Sequence, residues 1–91
     1  MKLDLQKCNL DNIIKVEFFK RDELTTDLLC CEILTSGTKC NETWFFHEES
    51  TQWENVLALV NQLPNFDNKW REKVVHPVFA ENRTTAFIRQ V

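Results

Sequence analysis

The hydrophobic period of this chain switches near residue 50, and that switch restricts the fold more than any other feature. Upstream, apolar residues recur at alternate positions in three runs: "IIKVEFFK" (13–20), "DLLCCEILT" (27–35) and "CNETWFFH" (40–47). A period of two sends successive side chains to opposite faces, as in a β-strand. In the first run Ile14, Val16 and Phe18 share one face, and Lys15 and Glu17 the other. The second is rich in apolar residues on both faces. The connections are "RDELTT" (21–26), polar but without the Gly or Asn of a tight turn, and "SGTK" (36–39), which holds the only glycine. Both fit hairpin turns. Three strands joined this way form an antiparallel meander.

After His47 the spacing becomes helical. Trp53, Val56, Leu57 and Val60 recur at intervals of one helical turn, Leu63 ends the stripe, and Pro64 stops the run. Thr51 and Glu54 stand three apart, the spacing at which each side chain of a capping box satisfies the other residue's free N–H. The first helix is therefore expected over 52–62, with its stripe laid on Ile14, Val16, Phe18 and Ile33. A shorter one is expected over 68–75, capped by Asp67, with Trp70 and Val74 on one face and Pro77 as its stop. "TTAFIRQV" (84–91) alternates again and closes the chain as a strand. Residues 1–12 read as a further edge strand or an arm. The expected fold is α+β, a single domain with an antiparallel sheet (β-β-β-α-α-β) and helices packed on one face.

Ninety-one residues hold one core, and a chain of this size buries roughly 60–65% of its unfolded surface. A count of 14 acidic against 11 basic residues gives a net charge of −3. Nucleic-acid binding needs a basic footprint that releases phosphate counterions, and this balance argues against that class. The opening "MKLDLQKCNLDN" interrupts its apolar residues with charge, so no signal-peptide core is read there, and no apolar run reaches the length of a membrane span. The expected location is the cytoplasm. There, Cys8, Cys30, Cys31 and Cys40 would be free, small buried hydrophobes, and Asn41-Glu-Thr and Asn82-Arg-Thr would be chance sequons.

No motif names a chemistry. Structural zinc sites draw cysteines in pairs two to four residues apart, whereas Cys30 and Cys31 are adjacent and on a strand point to opposite faces. Cys31, Cys40 and His47 would still lack a fourth ligand, so no metal and no cofactor are expected. A cysteine hydrolase needs a thiolate beside a histidine and an oxyanion hole. Neither His47 nor His76 has a cysteine in such a setting. One glycine is too few for a phosphate-cradling loop. Glu48 and Glu49 near Glu81 would be the one acid–base option, but adjacent acids before a helix ordinarily serve its positive dipole end. The expectation is a protein that is not an enzyme.

The sheet's second face resists a purely structural explanation. If Lys15, Glu17, Glu32, Glu42 and Glu48 mark the solvent side, alternation places Phe19, Leu28, Cys30, Leu34, Trp44 and Phe46 there too. Either the N-terminal arm or the second helix covers this face, or it is a binding surface for another protein. The candidate partner-binding residues are Glu42, Trp44, Phe46, Glu48 and Glu49.

The pattern "TWFFHEE…W…VL…LP.F…W…V..P.FAENRT.AF", from Thr43 to Phe87, resembles small bacterial immunity-type proteins of contact-dependent and polymorphic toxin systems. The likeness is one of general character, being acidic, near this length, α+β, tryptophan-containing and free of catalytic motifs, so no residue's role transfers with it. It implies a cytoplasmic inhibitor that binds a cognate toxin, with a basic nuclease best suited to an acidic surface. The residues leave two other readings open: a small ligand-binding or accessory domain with aromatics lining a pocket, and a homodimer that hides the second face. Monomer and homodimer are not distinguished.

Overall fold

The computed structural model describes residues 10–22, 27–37, 39–75 and 83–89. The expected N-terminal arm (1–9), the tip of the first turn (23–26), the Pro77 stop and the last two residues of the closing strand lie outside them. The elements follow the expected order: β1 (Ile13–Asp22), β2 (Asp27–Thr35), β3 (Glu42–His47), α1 (Trp53–Val60), α2 (Trp70–Val75) and β4 (Thr84–Ile88). The strands form one antiparallel sheet in the order β3-β2-β1-β4, so β3 and β4 are the rims. The fold is α+β, as expected.

One face of the sheet carries the core. Cross-strand partners share a face, so the register places Val16 with Ile33 and Phe18 with Cys31. A register shift between Ile13 and Lys15 turns Ile13 inward along with Val16. It is therefore Ile13, not the expected Ile14, that is fully buried. A second shift, between β1 and β4, accompanies burial of the consecutive residues Ala86 and Phe87. Lys20 is also buried, opposite Leu29 on the core face.

Helix α1 lays Trp53, Val56 and Val60 into this core, with Leu63 just beyond, while Leu57 is only half-buried at the margin of the stripe. Its start differs from the capping-box expectation. The helix begins at Trp53, and its N-cap is Gln52, with no side-chain cap. A box on Thr51 needs the helix to start one residue earlier; here the Trp53 N–H instead donates to the Ser50 carbonyl at 3.1 Å. Helix α2 begins at Trp70 rather than at the expected residue 68, and Asp67 caps the turn that leads into it. Its Oδ1 accepts from the Lys69 N–H at 3.0 Å and its carbonyl from the Trp70 N–H at 3.2 Å, which opens the turn into α2. The Asp67 N–H in turn donates to the Ala86 carbonyl at 2.8 Å, tying the entry of α2 to β4. Between the helices Asn65 takes a left-handed φ of 59°, which asparagine tolerates better than most residues.

Candidate partner interface

β3 connects to β2 through a turn that admits only glycine at one point. A Cβ on Gly37 would collide with the Cys40 carbonyl oxygen. From there β3 runs antiparallel to β2, with Trp44 opposite Ile33 and Phe46 opposite Cys31. Ile33 and Cys31 are both fully buried on the core face, so Trp44 and Phe46 share that face and not the outer one. This corrects the expected facing. Phe46 is only 3% exposed and belongs to the core. Trp44 is half-buried against it, and its Nε1 donates to the Thr35 hydroxyl at 3.0 Å. The sequence could not reveal this, because "TWFF" is apolar in both alternations. Of the expected site, Phe46 is therefore withdrawn from any presented surface, and Trp44 offers only part of its ring.

The three acids have different duties. Glu42 and Glu49 are exposed. Glu48 is exposed too, but its Oε1 accepts the Leu29 N–H at 3.0 Å while its own N–H donates to the Leu29 carbonyl at 2.9 Å. It thus closes the β2–β3 ladder as well as carrying charge. Among the described residues none of the three forms an ion pair.

The outer face carries Phe45 and His47 in place of Trp44 and Phe46, beside Phe19, Leu28, Cys30 and Leu34. Phe19 and Cys30 are buried there, although α2 packs on the core face with Trp70 against Phe18. Part of the cover comes from Arg83, just before β4. Its guanidinium lies 4.5 Å from the Phe19 ring centroid, and reaches Glu17 at 3.4 Å and Glu32 at 2.9 Å. Lys15 also pairs with Glu17, at 3.2 Å. The acids in the middle of this face are thus neutralised within the chain, whereas among the described residues Glu42, Glu48 and Glu49 beside β3, like Glu54 and Glu72 on the helices, form no ion pair. No sequence signal links Arg83 to acids this distant along the chain. Phe45 sits 5.9 Å from Phe19, ring centroid to centroid, and buried His47 Nδ1 has no hydrogen-bond partner among the described residues.

Cys30 and Cys31 point to opposite faces and are buried free thiols, as expected of adjacent strand residues. Burial pushes the Cys31 thiol well above the ordinary range, with Cys30 and Glu32 adding to the effect. Cys40 is exposed, which corrects its expected burial, and Cys8 lies outside the described residues. Cys31 and His47 face opposite sides of the sheet, so the trio with Cys40 does not assemble. Among the described residues no group of three His, Cys, Asp or Glu is placed to hold a metal, and no helix is long and apolar enough to cross a membrane. His76 and Glu81 also lie outside the described residues.

Open grooves mark the surface of the described residues. One, of about 480 Å³, runs beside β4 and is lined by Pro64, Asp67, Phe87 and Arg89 among others. The second, of about 380 Å³, lies between the helices beside Leu57, Asn61 and Trp70. Neither contains residues of the candidate surface. No known family model, curated protein or solved structure matches the chain.

Proposed function

We propose that this protein is a binding inhibitor of the immunity type, which neutralises a cognate toxin by covering it with the margin of β3. The observation that carries the reading is the set of exposed carboxylates at that margin that form no ion pair among the described residues: Glu42 at the start of β3, and Glu48 and Glu49 just past its end. The toxin best matched to them is a nuclease. Its substrate is polyanionic, so its active site must present Lys and Arg. Carboxylates at the rim steer such a partner into place and disfavour acidic competitors. The part-exposed ring of Trp44 supplies an apolar contact between them, in keeping with the usual interface of aromatic anchor and polar rim. In this reading the chain performs no catalysis itself and works from the cytoplasm.

Surface plasmon resonance against a basic nuclease-type domain, should the neighbouring gene encode one, at two salt concentrations, tests the proposal. Glu42→Lys with Glu49→Lys should slow association about tenfold and flatten its salt dependence. Glu48 is left intact because it holds the Leu29 N–H. Trp44→Ala should instead speed dissociation. If the parent does not bind, or if both variants bind like the parent, the reading is abandoned.

A further inference from the structure

We infer that the outer edge of β3 receives an extended, basic-ended segment of the partner as a fifth strand of the sheet. This rests on the inhibitor reading and specifies how contact is made.

The edge follows from the ladder. In an antiparallel pair, residues alternate between those that hydrogen-bond to the neighbouring strand and those that turn their N–H and C=O the other way. The Glu48 N–H bonds to Leu29, so the inward-bonding residues of β3 are the even-numbered ones. Thr43, Phe45 and His47 therefore aim their backbone groups outward. β3 is terminal in the sheet, and no described residue pairs with that side. An apolar rim strand with unpaired backbone groups is a ready template for another strand.

Charge decides which strand fits. A second copy pairing antiparallel about Phe45 would set Glu42 opposite Glu48 at both ends of the seam. Like charges directly opposed destabilise a strand pair. The same two carboxylates favour a segment with Lys or Arg at its two ends, six residues apart, where Glu42 and Glu48 would face them. Between those ends, the guest positions beside Trp44 call for small β-branched residues that cover its half-buried ring. A protein that reads a basic strand in this way gains affinity from the backbone and selectivity from the ends.

The test uses a blocked heptapeptide, Lys-Thr-Val-Thr-Val-Thr-Lys, titrated into the isotopically labelled full chain and followed by amide chemical shifts. Shifts should centre on Thr43, Phe45 and His47. The same peptide with Glu at both ends should bind about tenfold more weakly at low salt. Glu42→Lys, which reverses one end of the seam and leaves Glu48 at the other, should narrow that difference. Thr43→Pro removes an outward N–H without touching the β2 ladder, and should abolish binding while shifts elsewhere stay native. Absence of shifts along β3, or equal binding of the two peptides, overturns the fifth-strand mode. So does concentration-dependent broadening of those three amides in the free protein, which would identify a second copy as the occupant. The inhibitor reading has its own test against the toxin domain, so the two fail separately.

Discussion

Phe18 stacks face to face on Trp70, with ring centroids 3.6 Å apart and planes 6° from parallel. Trp53 and Phe66 meet the same phenylalanine edge-on, each at 6.3 Å. One residue of β1 thus anchors both helices and the segment between them. The edge-to-face contacts are a favoured geometry for such rings and add to their burial energy, while the closely centred stack on Trp70 contributes through burial and dispersion. Trp70→Ala should cost roughly 3–5 kcal/mol, and Trp70→Phe, which keeps a ring on Phe18, should cost less. Urea unfolding followed by circular dichroism measures both. Equal losses would mean that the ring contact contributes little.

Leu57 and Leu63 offer the same truncation at two depths. Leu63 is 4% exposed, whereas Leu57 sits half-buried beside a surface groove. Leu63→Ala should fall in the range of about 2–5 kcal/mol for a buried leucine, and Leu57→Ala below about 2 kcal/mol. The order of the two unfolding midpoints checks the facing of α1, and a reversed order would contradict it.

Asp67 should govern part of the acid sensitivity. The Lys73 side chain and the Lys69 N–H hydrogen-bond to its carboxylate and hold its pKa below the ordinary value. A folded-state pKa below the unfolded one, about 3.9, stabilises the protein above that unfolded value. The contribution is lost as pH falls through the folded pKa. Asp67→Asn preserves a capping side chain but should flatten stability against pH over that acid range. Asp67→Ala should also lose the cap, at about 1 kcal/mol near neutrality. Unfolding midpoints measured from pH 7 down to the acid transition separate the two effects.

The cysteines should divide by burial. In a Cys8→Ser background, a thiol reagent should modify Cys40 at once in the native protein. Cys30 and Cys31 should react only after unfolding, because both are fully buried and the Cys31 thiolate is disfavoured. Three thiols titrated after denaturation without reductant would agree with free cysteines. Fewer would reveal a disulfide or another oxidised form.

The order of elements was legible in the sequence because it rests on local periodicity. Alternation in residues 13–20 and 27–35, helical spacing from Trp53 to Val60, and the Asp67 turn are each set within a few residues of chain. So was the separation of Cys30 from Cys31, a direct result of strand geometry. The absent capping box depended on where the chain leaves β3, since the turn through Ser50 delays the helix start to Trp53.

Facing was decided by tertiary structure. Either alternation of "TWFFH" is apolar enough to be buried, so local pattern could not choose between Trp44 with Phe46 and Phe45 with His47. Pairing with Ile33 and Cys31 made the choice and drew Phe46 into the core. The inward turn of Ile13 depends likewise on a register shift against β2 that no local spacing encodes. Arg83 meets Glu17 and Glu32 only because β4 returns beside β1. The sequence by itself therefore determined the strands, the helices and the stock of acids. That the fold neutralises Glu17 and Glu32 was settled by contacts between segments far apart in the chain.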